Sequence, residues 1–77
     1  MNKNYINIDP EVLGGTPVFS GTRIPIYILF DYIEGGEPLS AFLENYPSVS
    51  KEHAQEILKL AEKFVTNDKY VNENTAG

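Results

Sequence analysis

Apolar and polar positions alternate over Tyr5-Ile6-Asn7-Ile8. That period of two, with β-branched residues, predicts a short strand, ended by Asp9-Pro10. Asp9 is placed to turn the chain by accepting hydrogen bonds from the amides that follow it. The next apolar pair, Val18-Phe19, sits inside a run of turn-formers, with Gly14-Gly15-Thr16-Pro17 before it and Ser20-Gly21 after it. It is the expected partner strand, and Gly14-Gly15 and Ser20-Gly21 are read as tight turns. Two strands this short do not stand alone in water, so helices must cover them.

From Pro25 the period lengthens. Proline suits the first turn of a helix, where its missing N–H has no partner to lose. A first helix is expected at Pro25–Glu34, stopped by Gly35-Gly36. Ile26, Leu29, Phe30 and Ile33 share one face, while Ile28 and Tyr32 lie on another side with Tyr27 and Asp31 between. A helix apolar around most of its circumference is buried on more than one side. The leftover surface at Tyr27, Ile28 and Tyr32 is therefore expected to meet a second copy in a two-fold dimer, or a partner.

Leu39, Phe42, Leu43 and Tyr46 form an amphipathic stripe, and Pro47 ends that second helix. After a turn at residues 47–49, Ser50 is placed to cap a third helix, with Glu52 near its positive end. Ala54, Ile57, Leu58, Ala61, Phe64 and Val65 line its apolar face, and Lys51, Gln55, Glu56, Lys59, Glu62 and Lys63 its wet one. From Thr66 the pattern dissolves, so residues 66–77 are expected to be a flexible tail that frays or orders on a partner. The expected fold is α+β, mostly α. A strand pair within 5–19 is followed by helices at about 25–34, 39–46 and 50–65, all in one small domain over 1–65.

Size changes the picture next. A 77-residue chain buries a modest core, expected to supply only about 3–5 kcal/mol. With no cysteine and one histidine, disulfides and thiolate metal sites are excluded and a protein-only zinc site is not expected. Association with another chain is what remains. No apolar signal core leads the chain and no stretch is long enough to span a membrane, so a cytoplasmic location is the expectation. The net charge of −5 is unevenly spread. Residues 26–49 hold Asp31, Glu34, Glu37 and Glu44 with no lysine or arginine, whereas acids and bases nearly balance elsewhere. An acidic middle repels phosphate and attracts a basic partner.

Candidate chemistry is thin. A short helix, a tight turn and a capped longer helix outline a helix-turn-helix, which would present Ser50, Lys51, Gln55 and Lys59 to a major groove. The alternative is that three amphipathic helices simply pack this way. Glu52 and Glu56 stand on the would-be reading face, and no net basic patch is visible. Gly15 and Gly21 are five residues apart and no lysine follows them, so the glycine run is not a P-loop. Gly15, Gly21, Thr22 and Arg23 are read instead as a structural turn. The Arg23 guanidinium would tie that turn to backbone carbonyls or to Asp9, although an anion contact is the functional alternative.

His53 lacks a companion ligand or nucleophile and is read as a surface or half-buried structural residue. Asp31 and Glu34, three apart on a helix, are read as its wet side. Tyr5, Tyr27 and Tyr70 are candidate interface anchors. No catalytic constellation, cofactor site or metal site emerges, and a non-enzyme is expected.

The run from Ile8-Asp9-Pro10 through Gly14-Gly15-Thr16-Pro17-Val18-Phe19-Ser20-Gly21-Thr22-Arg23-Ile24-Pro25-Ile26 resembles the signature of the domain of unknown function 433 family. Gly35-Gly36, Glu44-Asn45-Tyr46-Pro47 and Ser50-Lys51-Glu52 continue the likeness, which covers about residues 5–65. Thr16 stands where lysine or arginine is common. The resemblance implies a homeodomain-like helix-turn-helix and a VapB-like antitoxin of a type II toxin-antitoxin system. Such a protein would dimerise, neutralise a PIN-like ribonuclease toxin and bind its own operator DNA. A dimerisation or protein-interaction module without DNA binding is the competing expectation, and a small-molecule sensor or enzyme using the Arg23 region a third.

Overall fold

A computed structural model of the chain describes residues 4–67. Strand β1 (Ile6–Asn7) pairs antiparallel with β2 (Val18–Phe19), in the register Ile6 opposite Phe19 and Asn7 opposite Val18. Helices α1 (Tyr27–Glu34), α2 (Leu39–Asn45) and α3 (Lys51–Val65) follow. This is the expected α+β, mostly helical architecture.

Local chemistry explains each joint. The Asp9 carboxylate accepts from the Glu11 amide at 2.9 Å and its carbonyl from the Val12 amide at 2.8 Å, which reverses the chain after β1. A short 3-10 turn at Leu13–Gly15 carries it towards β2. In that turn Leu13 itself adopts a positive φ of 52°, a conformation unfavourable for a residue with a Cβ.

The turn after β2 is closed by Thr22. Its Oγ1 donates to the Phe19 carbonyl at 2.7 Å and accepts from the Ile24 amide at 3.0 Å. Gly21 reaches φ 79° there, open to glycine and costly for other residues.

Pro25 does something different from starting the helix. It pairs with Val18 in an antiparallel bridge, flanked by Phe19 N–H to Ile24 O and Ile26 N–H to Pro17 O, both at 3.0 Å. In that type of pair neither opposed residue needs to donate, so a proline fits. Val18-Phe19 thus lies between β1 on one side and residues 24–26 on the other, and both its residues are fully buried. The helix begins two residues later than Pro25.

α1 ends in a Schellman arrangement: Glu37 N–H reaches Tyr32 O at 2.9 Å and Gly36 N–H reaches Ile33 O at 3.0 Å, with Gly36 at φ 83°. α2 stops at Asn45, before Tyr46-Pro47. α3 starts as expected, with the Ser50 hydroxyl accepting from the His53 amide at 3.0 Å.

The core is small. Phe19, Leu29, Phe42, Val49, Ala54 and Ile57 form one buried cluster, so β2, all three helices and the α2–α3 turn each contribute. Phe42 packs at a tilt on Phe19 and Tyr46 and edge-on against Tyr32, at ring separations of 5.2–5.7 Å. Across the cluster His53 meets Phe19 edge-on and Tyr5 at a tilt. Its Nε2 donates to the Tyr5 carbonyl at 2.9 Å, which ties α3 to the N-terminal strand.

Candidate interaction surface

Three groups of candidate residues land in three places. On α3, Lys51, Gln55 and Lys59 recur every four residues and are exposed, forming a stripe along the helix. Ser50 heads that stripe, but its hydroxyl is engaged in capping. Lys59 Nζ lies 3.4 Å from the Glu56 carboxylate, and exposed Glu52 and Glu62 stand nearby in sequence. The stripe is therefore of mixed sign. A shallow groove of about 350 Å³ lined by Gln55, Leu58, Lys59 and Glu62 runs beside it.

On α1, Tyr27 is 59% exposed, whereas Ile28 and Tyr32 are half-buried and pack on the core. Of the three expected interface positions, Tyr27 carries most of the free surface. Ile33, expected to face inward with Leu29, is 41% exposed instead. Between α1 and α2 lies a shallow groove of about 430 Å³ lined by Asp31, Tyr32, Glu37, Ala41 and Asn45. Asn45 Nδ2 donates to Tyr32 Oη at 2.8 Å and to the Ala41 carbonyl at 3.2 Å across its floor. The carbonyl partner fixes which amide atom is nitrogen, leaving Oδ1 as an acceptor.

In the glycine-rich loop, Gly15, Gly21 and Thr22 shape the turns, and Thr22 supplies the side-chain hydrogen bonds. Arg23 is exposed, and among the described residues its guanidinium is in no hydrogen bond or ion pair. Thr22 performs the tying that was expected of the arginine. His53 is half-buried and structural in its contacts. Among the described residues no three or more His, Asp or Glu side chains are gathered to hold a metal ion, and no helix is long and apolar enough to cross a membrane. Tyr70 lies outside the described residues.

Sequence reasoning missed the second half of α3. Ala54 and Ile57 are buried, but Leu60, Phe64 and Val65 are 44%, 65% and 55% exposed. Neither the apolar nor the wet face read from the sequence includes Leu60. The signal was available: Leu60 and Phe64 are four apart and continue the Ile57 row, so the apolar stripe is longer than the core that could cover it.

The profile of a family described as a protein of unknown function (DUF433) matches residues 6–61. An uncharacterised protein, y4eO, of Sinorhizobium fredii is 36% identical over 50 residues, which are 65% of this chain and 23% of that protein. The chain thus corresponds to under a quarter of that relative's length. A crystal structure of a DUF433 member from Anabaena variabilis superposes with a TM-score of 0.68 at 31% identity, covering 97% of this chain and 71% of that one.

Proposed function

We propose, on the premise that this chain belongs to the DUF433 family, that it is a non-catalytic binding protein that works as an antitoxin-like dimer neutralising a PIN-like ribonuclease. The observation that carries the reading is the mismatch, among the described residues, between a buried apolar core of seven residues and the large apolar side chains exposed on α1 and on the end of α3. Exposed apolar groups grouped on helices are the mark of surfaces that another macromolecule covers.

The two exposures suit different partners. Around Leu60, Phe64 and Val65 the charges alternate, with Glu56, Lys59, Glu62 and Lys63. An alternating face is self-complementary, as a two-fold contact requires. The dimer is therefore assigned to the end of α3, and the ribonuclease to a separate surface.

Operator binding through Ser50, Lys51, Gln55 and Lys59 is the less supported half of the reading. One of those side chains caps its helix, one is paired with a glutamate, and the chain as a whole is acidic. The salt-dependent affinity for a phosphate backbone comes from lysine and arginine charge, which a net acidic chain offsets.

The test is co-expression with each neighbouring reading frame of the source genome. The reading expects one product to co-purify stoichiometrically and to lose its ribonuclease activity in the complex. A chain that co-purifies with none of them, and leaves their activities unchanged, contradicts it. A mobility-shift titration with the upstream DNA at low and high salt addresses the operator separately.

A further inference from the structure

The two edges of the sheet differ. At the bridge with Val18 the Pro25 backbone faces outward, but proline has no N–H and its carbonyl already accepts from the Ile28 amide at 3.2 Å. That edge is closed to a further strand. The edge at β1 has no such block. The Tyr5 carbonyl accepts from the Ser20 amide at 3.1 Å and Asn7 is in register with Val18, so both bond inward to β2. Trans peptide planes then aim the Ile6 N–H, the Ile6 carbonyl and the Ile8 N–H away from β2.

Among the described residues, the Ile6 N–H has a long bond of 3.4 Å to Asn4 Oδ1, and neither the Ile6 carbonyl nor the Ile8 N–H has a partner. Asn4 thus supplies the acceptor that a neighbouring strand would supply. Ile6 packs on the core, and Ile8, two residues on, shares its side of the strand yet is 64% exposed. Two donors, a carbonyl and an apolar side chain lie along one edge, and extended backbone answers all of them together.

A second copy fits this edge poorly. Antiparallel self-pairing would centre on Asn7 and set Ile6 opposite Ile8 of the copy. The turn at Asp9, and Pro10 with no N–H, end that ladder at Ile8. So short a contact falls far below the roughly 800 Å² per partner that a stable interface buries. A strand offered by a larger partner, which also touches other surfaces, need not hold the complex by itself.

Resting on the binding-protein reading above, we infer that the outer edge of β1 receives an extended segment of the partner protein as an added strand. The partner residue opposite Ile6 exchanges both backbone bonds with it and displaces Asn4 Oδ1. The partner carbonyl two residues along takes the Ile8 N–H. Side chains at those two partner positions are apolar and β-branched, to lie on Ile6 and Ile8, and the residue between them is polar.

The probe is a short capped peptide alternating valine and serine, titrated into the isotope-labelled full chain and followed by NMR. Amide shifts should gather at residues 5–8, and hydrogen exchange at Ile8 should slow about tenfold at saturation. The same peptide N-methylated at its central residues keeps the side chains, loses the donors and should not bind. Asn4→Ala removes the internal competitor for the Ile6 N–H and should tighten binding about two- to threefold. Ile8→Pro removes an edge donor and should weaken binding about tenfold. If Ile8→Pro loses its circular dichroism, the N-methylated peptide and Asn4→Ala decide.

No binding by the plain peptide overturns the inference, as do equal binding of the N-methylated one, weaker binding by Asn4→Ala, or shifts centred on α3. Exchange at Ile8 that slows in the chain alone as its concentration rises also overturns it, since a second copy then occupies the edge. If the peptide fails while the chain still co-purifies with a ribonuclease, this edge is the wrong surface and the binding-protein reading stands. If the peptide binds at β1 and no ribonuclease co-purifies, the edge stands and the antitoxin reading falls.

Discussion

At the scale of single residues, one side chain closes a local turn and another ties distant parts of the chain together. Thr22 spends one hydroxyl on two hydrogen bonds that close the loop after β2. Thr22→Val keeps the shape and removes both, so it should cost about 1–2 kcal/mol in urea unfolding, since each bond contributes roughly 1 kcal/mol net. Next to it, a Cβ added at Gly21 would meet nothing within 4 Å, yet φ is 79°. Gly21→Ala should therefore cost about 1–2 kcal/mol from backbone conformation alone, with no clash to relieve. His53 links α3 to a residue 48 positions earlier. No spacing rule reveals such a contact, and the sequence offered only the lack of a companion ligand. The positive φ of Leu13 is invisible for the same kind of reason, because it is imposed by the hydrogen-bonded turn around it rather than by leucine itself.

At the scale of elements, periodicity located all three helices and both strands, and the caps followed from residue type. Ser50→Ala should lower stability by about 1 kcal/mol, measured as a shift in the urea midpoint at unchanged slope. Pro25 shows the limit of such reading. A proline that would fit a helix start also fits a bridge position that needs no donor, and the neighbouring β2 strand decides between them. The exposed end of α3 shows another. A stripe of apolar residues gives the direction of a helix face but not how far the core extends along it. Ala54 and Ile57 belong to the buried cluster with Phe19, Leu29 and Phe42, whereas Leu60 and Phe64, further along the helix, are exposed. At the candidate surface, Tyr27 was legible as excess apolar area on α1. Ile33 was not, because which flank of α1 meets the core depends on where α2 lies.

At the scale of the whole molecule, the cluster of fully buried side chains is so small that one large truncation within it matters greatly. Phe42 contacts Phe19, Tyr32 and Tyr46, and Phe42→Ala should cost about 3–5 kcal/mol, comparable to the stability such a core supplies. Circular dichroism of that variant should report a largely unfolded chain at room temperature. Burying Leu60, Phe64 and Val65 against a second copy would extend the apolar cluster across the two-fold axis and add stability that depends on concentration. Sedimentation equilibrium of the full chain at tens of micromolar measures this most directly. The binding reading predicts a species of twice the 8.6 kDa chain mass, converted to monomer by Leu60→Ser with Phe64→Ser. A single 8.6 kDa species at every concentration, unaffected by those substitutions, would contradict it.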